Sequence, residues 1–578
     1  MYLLGIHDGH NASAVLMKDG KIIDAVQEER FNKIKNFGGF PKDSILYILK
    51  KNNLDFNQIE QFIFASLIAH SEGQENRKRV LEKNEKNFNS NISIVHSLKK
   101  KIAPILPKYL LNIRRNNRFK YISKIRSKEL LSYGVDPKKI EFMEHHFCHA
   151  SAAAYGFGSE KDTLVITLDS TGDYSSGTVN IFKKGNLKKI LDIPSDDSLG
   201  RLYSYVTYYL GMQPLEHEYK IMGLAPYSEH SSYSKEIANL FREMYFFENE
   251  ISFKISNEIK SAKNLGKFIS KILRRKRFDN ISSGLQIFLE EFVCEWIERL
   301  VKSTNIKNLA LGGGVFMNVK LNKKISELKC VDSIFVFPSC GDETNPFGAL
   351  YRRYFELTNK LPERLDTFYL GNSYEDEEIK KNYENYKFKN FKTKITYYQN
   401  IEKKIAELIF EKRIVARFKG KMEFGARSLG NRAILCNAHD VDLVKEINYI
   451  IKNRDFWMPF APSVVNEKKY LENSKDINME FMMVATDFKK DFENLFKGVS
   501  HPYDSSCRPN VVNKDKNEDY YNLIKYYEEL SSHSIILNTS FNLHGLPIVS
   551  EPSDAFYVLD NSGLKYLAIQ NYLIEKLD

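Results

Sequence analysis

"YLLGIHDGHNASAVLMKDGKIIDAVQEER", Tyr2–Arg30, reads as strand, turn, strand, hairpin, strand. Asp19-Gly20 supplies the left-handed pair that a two-residue hairpin turn requires. The same grammar returns at "LVITLDSTGDYSSGTVNIFKKGNLKKILDI", Leu164–Ile193. Each copy has an apolar strand ending in an aspartate, Asp8 or Asp169. Each continues through a glycine-containing turn, a second strand of small residues, a lysine-rich hairpin and a third strand. The repetition predicts a duplicated fold whose two hairpins face one cleft.

A third stretch agrees. "IKNLALGGGVFMNVKLN" sets an apolar strand before Gly312, Gly313 and Gly314, with Asn318 just beyond. Glycines there let backbone N–H groups approach a phosphate, and a following helix N-terminus favours anions. Taken alone, the same glycines describe a plain strand-to-helix turn. The arrangement resembles the actin-like ATPases and sugar kinases, which hold nucleotide phosphates between two Asp/Gly turns. Asp8, Asp169, Gly172, Gly312–Gly314 and Asn318 are the nucleotide-binding candidates.

The chain has 578 residues, more than one ordinary core accommodates, so two or more domains are expected. Its 43% hydrophobic and 13% aromatic content is that of a globular protein. The net charge of +11 would attract anionic substrates, RNA or membrane, or reflect a solvated lysine surface. Six cysteines lack CxxC pairing, which excludes a zinc ribbon and fits a reducing cytoplasm. The N-terminus reads as neither signal peptide nor membrane span. Basic helical patterns occupy Glu75–Leu130 and "SAKNLGKFISKILRRKRF". They could dock a polyanion or form solvated faces on an insertion. The patterns divide the chain into a domain over 1–360, a connector over 361–395 and a second domain over 396–578.

"EHHFCHASAAAYG", Glu144–Gly156, places His145 and His149 four apart, on one face of a helix. "SCGDETNPFGAL" offers Asp342 after an apolar strand. His145, His149 and Asp342 form a candidate N/O metal site. Without thiolates it fits iron, manganese or zinc. On spacing alone, the histidines also describe a packed helix start. His10, in the first hairpin turn, is either a base aimed at the cleft or a turn residue bonding its neighbours. Glu218 and Lys220, in "EHEYKIMGLAPY", would contact ribose or acceptor hydroxyls, or pair on the surface.

The last third is dense in arginine beside glycine turns. "RFKGKMEFGARSLGNRAIL" carries Lys421, Arg427 and Arg432, and "NRDFWMPFAPSV" carries Arg454. "DSSCRPNVV" adds Arg508, and "LNTSFNLHGLPIVSEPSDA" adds Ser540 and Asn542. Bidentate guanidinium donors beside exposed backbone N–H groups suit a phosphate.

Taken together and in order, these motifs resemble the O-carbamoyltransferases of nodulation-factor and antibiotic tailoring. The resemblance covers nearly the whole chain. It implies a mixed α/β protein. The N-terminal domain would be an actin-like duplication similar to threonylcarbamoyl transferase, and the C-terminal domain an α/β unit similar to threonylcarbamoyl-AMP synthase. It implies ATP with Mg2+ and carbamoyl phosphate as co-substrates. Carbamoyl-adenylate would form in the second domain and transfer to the hydroxyl of a small-molecule or sugar acceptor in the first. It implies a divalent metal, Fe2+ first and Mn2+ or Zn2+ next, on His145, His149 and Asp342, with His10 as base. Lys421, Arg427, Arg432, Arg454, Arg508, Ser540 and Asn542 would hold carbamoyl phosphate. A cytoplasmic protein without nucleic acid completes the expectation, and a homo-oligomer is compatible with it. One departure stands out: the family often has "HDASA" where this chain reads "HNASA". Two other readings compete, an RNA-directed threonylcarbamoyl transferase and an actin-like kinase or regulator. RNase sensitivity would favour the first, and ATP turnover to ADP the second.

Overall fold

The computed structural model describes residues 1–68, 108–259, 264–473, 475 and 477–577. Residues 75–107 of the first basic stretch, and the opening residues of the second, lie outside those described. The remainder of the first stretch contains a 19-residue helix, Lys108–Arg126.

The first sheet contains β1 (Tyr2–His7), β2 (Ser13–Lys18), β3 (Lys21–Gln27), β4 (Gln61–Phe64) and β5 (Ile140–Phe142), in the order β3-β2-β1-β4-β5. The second contains β6 (Thr163–Gly172), β7 (Ser175–Lys183) and β8 (Asn186–Pro194). A short hairpin of β9 (Tyr245–Phe247) and β10 (Phe253–Ile255) follows. Then β11 (Asn308–Gly312) and β12 (Ser333–Val336) complete the second sheet in the order β12-β11-β6-β7-β8. Reading outward from the first strand of each copy, the two sheets have one topology. An antiparallel hairpin lies on one side and two parallel strands on the other. The duplication expected from the repeated hairpins is therefore present as a repeated sheet. Asp19-Gly20 and Lys184-Gly185, all at positive φ, close the equivalent hairpins.

β1 is apolar on both faces because both are covered. Leu4 and Ile6 pack with Ile45, Ile48 and Leu49 of the helix Lys42–Lys51. Leu3 packs on the other side with Phe347 and Leu350 of the helix Asn345–Thr358. That helix crosses the helix His145–Phe157, which lies against the second sheet. A Cβ at Gly348 would stand 1.8 Å from the Cys148 carbonyl oxygen, so the two backbones nearly touch. Only glycine permits this approach.

The C-terminal domain is an open eight-stranded mixed sheet. Its strands are β13 (Lys392–Tyr397), β14 (Val415–Phe418), β15 (Arg432–Asn437), β16 (Ala461–Val464), β19 (Asn510–Val511), β20 (Ile535–Ser540), β21 (Tyr566–Ile569) and β22 (Tyr572–Leu577), in the order β13-β22-β21-β14-β15-β20-β16-β19. Between them β17 (Thr486–Asp487) and β18 (Ser506–Cys507) form a separate pair. The helices Ile401–Phe410 and Glu518–Ser531 cover one face, and the helix Pro552–Asp560 covers the other. The stretch 361–395 is more than a connector. Ile379 is buried in the C-terminal core, Tyr383, Tyr386 and Phe388 pack against it, and β13 is an edge strand of its sheet. Burial of these side chains ties the stretch to the C-terminal core. No helix among the described residues is long and apolar enough to cross a membrane.

Candidate metal centre and arginine cluster

The histidine helix begins where Glu144 accepts the backbone N–H groups of His146 and Phe147, capping it. His145 and His149 then share a face that meets Asp169 from β6 and Asp342 from the turn ahead of the helix Asn345–Thr358. His145 Nε2 lies 3.5 Å from Asp169 and 3.4 Å from Asp342. His149 Nε2 lies 3.2 Å and 3.3 Å from the same two carboxylates. One ligand atom from each of the four residues falls within 4.8 Å of the others. Asp169 escapes the strand ladder because pairing to β7 slips between Leu168 and Gly172. Gly172 lets the His145 ring in, since a Cβ there would sit 2.0 Å from it. The Asp173 carboxylate pins the approach by accepting the N–H groups of His145, Leu67 and Ile68.

The cluster suits a divalent cation. His145 Nε2 is buried without a hydrogen-bond partner and faces two carboxylates. Two imidazoles and two carboxylates, with no thiolate, form a borderline-hard donor set. Burial works to lower the His145 pKa, but Asp342 and Asp169 outweigh it and raise it to about 10. His149 is raised by the same carboxylates against its own burial. The Asp169 carboxyl is held well below its usual range by the two histidines. Such mutual charging is what a cation would replace.

A second cluster forms in the C-terminal domain. Arg427, Arg454 and Arg508 arrive from three separate loops and are half-buried. None forms an ion pair with a carboxylate among the described residues. Nε of Arg427 and of Arg508 is buried without a partner. Burial lowers all three pKa values, and the arginines' mutual repulsion adds to it for Arg427 and Arg508. Crowded, uncompensated guanidinium groups are arranged for an anion. Beside them Lys452, which the sequence reading missed, is buried. Its Nζ donates to the Ser540 carbonyl, to Asn542 Oδ1 at 2.8 Å and to Ser540 Oγ at 3.2 Å. Its signal was its place two residues before Arg454.

The two clusters meet at a seam. Ala426 N donates to Ser339 Oγ at 3.1 Å, and Ser339 Oγ donates to Glu343 Oε1 at 2.5 Å. Arg30 of the first domain donates to the Gly425 carbonyl at 2.9 Å. The loop carrying Arg427 is thus docked on the loop carrying Asp342. Burial raises the pKa of Glu343, between them, to about 7.

Residues 2–350 match the family model described as carbamoyltransferase N-terminus, and residues 406–576 the one described as carbamoyltransferase C-terminus. The chain belongs to the carbamoyltransferase family. It is 32% identical to the uncharacterized protein MJ1051 of Methanocaldococcus jannaschii over 587 residues, covering 100% of each. It is 30% identical to the nodulation protein NolNO of Sinorhizobium fredii over 581 residues, covering 98% of this chain and 79% of that one. Among solved structures, full-length HypF in its phosphate- and nucleotide-bound form aligns with a TM-score of 0.31 and 11% identity. That alignment covers 61% of this chain and 56% of HypF.

Several residues of this carbamoyltransferase are placed differently from expectation. Arg432 does not join the arginine cluster. It is fully buried, stacks 3.7 Å from the Phe418 ring centroid, and donates to the carbonyls of Asn372, Lys419, Gly420 and Asn431. Lys421 is exposed, and its charge acts on Asp24. Asp8 grips Arg126 through two 2.7 Å bonds. Asn318 caps a helix by accepting Leu321 N, and its amide pairs with Gln286. Glu218 and Lys220 do not pair. Glu218 accepts from Ser204 and Leu215 N, while Lys220 reaches Asp455 across the domains at 2.9 Å. Gly312, Gly313 and Gly314 back the histidine–aspartate cluster, and Gly314 would place a Cβ 3.2 Å from Asp169 Oδ1. His10 bonds the Leu215 carbonyl through Nε2 at 3.1 Å. His7, unremarked in the sequence, lies 3.9 Å from Asp342. Burial lowers its pKa to about 4.

Proposed function

We propose that this chain is an O-carbamoyltransferase working in two half-reactions. Water hydrolyses carbamoyl phosphate to carbamate and inorganic phosphate. The resulting carbamate oxygen attacks the α-phosphorus of ATP and expels pyrophosphate, giving carbamoyl-adenylate. An acceptor hydroxyl then attacks the carbamoyl carbon, and AMP departs. The observation that carries this reading is the seam. An uncompensated arginine cluster and a histidine–aspartate cluster share one protected boundary, through Ala426, Ser339 and Glu343.

Arg427, Arg454 and Arg508 would hold the donor phosphate, and Lys452 would fix Ser540 and Asn542 beside it. His145, His149, Asp169 and Asp342 would hold a divalent cation, with iron the first expectation. A bound cation would neutralise phosphate charge and polarise the carbamoyl oxygen. His10 donates Nε2–H to the Leu215 carbonyl, because a carbonyl can only accept. His10 would take the proton of the acceptor hydroxyl. Burial at the seam would keep a labile carbamate from water.

The test is incubation with ATP, carbamoyl phosphate and metal, with mass spectrometry for carbamoyl-adenylate. His149→Ala should abolish transfer while leaving adenylate formation partly intact. Equal loss of both half-reactions would sink the two-site scheme.

A further inference from the structure

The helix Lys108–Arg126 carries Arg115, Arg118 and Arg126 on one face. They meet different surroundings. Arg126 is buried and neutralised by Asp8. Arg115 and Arg118 are exposed, and neither forms an ion pair with a carboxylate among the described residues. Both are stacked on Tyr174, with guanidinium carbons 4.7 and 5.7 Å from its ring centroid. Nη1 of Arg118 also reaches the Tyr174 hydroxyl at 3.5 Å.

Tyr174 is itself held firmly. It and Asp173 occupy the β6–β7 turn at φ of 78° and 46°. The Tyr174 carbonyl accepts from Ser195 N at 2.9 Å and Ser195 Oγ at 2.6 Å. The neighbouring Asp173 carboxylate accepts three backbone N–H groups, one of them His145's, and forms no ion pair with either arginine among the described residues. Two oriented guanidiniums, without a carboxylate partner among the described residues, therefore stack on the turn that holds His145. Guanidinium pairs read phosphate or carboxylate by forked hydrogen bonds, and the stack removes part of the ordering cost.

We propose that Arg115 and Arg118 form the acceptor-recognition site, and that the acceptor is an anionic hydroxyl compound, such as a phosphorylated or nucleotide-linked sugar. The proposal rests on the carbamoyl-transfer reading. It assigns the anionic group to the rim and the hydroxyl to the cleft behind it. A cationic acceptor would be repelled there.

The experiment is calorimetric titration of the full chain with uridine diphosphate N-acetylglucosamine and, separately, with N-acetylglucosamine. The donor sites are first filled with carbamoyl phosphate and a non-hydrolysable ATP analogue. The diphosphate probe should bind, and about 0.2 M salt should weaken it. Arg115→Ala with Arg118→Ala should weaken it about tenfold or more, as loss of charge-assisted pairs requires. The corresponding double lysine variant should retain part of the affinity. Lys120→Ala with Lys124→Ala, on the same helix, should leave it unchanged. Equal binding by the double alanine variant, or no saturable binding, would overturn the proposal. So would binding of a short single-stranded RNA through the same arginines with none of the sugar nucleotide. Carbamoyl-adenylate formation by the unaltered chain without acceptor reports separately on the underlying reading.

Discussion

Asp8 and Asp169 close the first strands of two sheets with the same topology, yet they do different work. Asp8 is bonded at both oxygens to Arg126, whose side chain has no solvent exposure. Asp169 faces His145 and His149 at 3.5 and 3.2 Å. The first carboxylate is neutralised by a fixed arginine, which fastens the helix Lys108–Arg126 to the sheet. The second is neutralised by two imidazoles whose protons a cation can displace. Duplication supplied two equivalent cradles, and the partner reaching each decided whether it became an anchor or a centre. Arg427 and Arg432, five residues apart, repeat the lesson. One guanidinium has no carboxylate partner among the described residues, and the other is consumed by main-chain carbonyls.

The sharpest way to break the comparison is to exchange the carboxylates for amides. Asp169→Asn should lose most of its bound metal and essentially all transfer, whereas Asp8→Asn should keep its metal. Metal content by atomic emission checks both, and equal loss would erase the distinction. Arg126→Ala comes next. Removing one partner of a buried pair costs about 3–5 kcal/mol, so denaturant unfolding of the first domain should shift by that order. Arg432→Ala should destabilise the second domain by about 1–3 kcal/mol, the cost of leaving a buried carbonyl bare. The smallest stability effect belongs to Arg427→Ala. It relieves repulsion among crowded arginines, so the unfolding midpoint should hold or rise while the KM for carbamoyl phosphate increases. An unchanged KM would remove Arg427 from the donor site.

His145 and His149 could be read as a pair because helical spacing puts i and i+4 on one face. Asp342 was legible from its place after an apolar strand. The duplication was legible because hairpin turns have local chemistry, and Asp19-Gly20 and Lys184-Gly185 display it. His7 stands 3.9 Å from Asp342, a placement that only the packed cleft reveals, because no local pattern separates two histidines three residues apart. The stretch 361–395 looked like a connector because its apolar residues are sparse and find their partners only within the C-terminal core.

The order of strands, the helical histidine pair and the arginine-rich third were properties of the sequence alone. They rest on periodicity and turn propensity within short windows of chain. Which aspartate would be free, which arginine would be spent and which loops would share a seam were decided by tertiary structure. A side chain's charge is written in its residue type, but its partner arrives from a distant segment. Here that partner came through an approach such as Gly348 on Cys148, which no local pattern encodes.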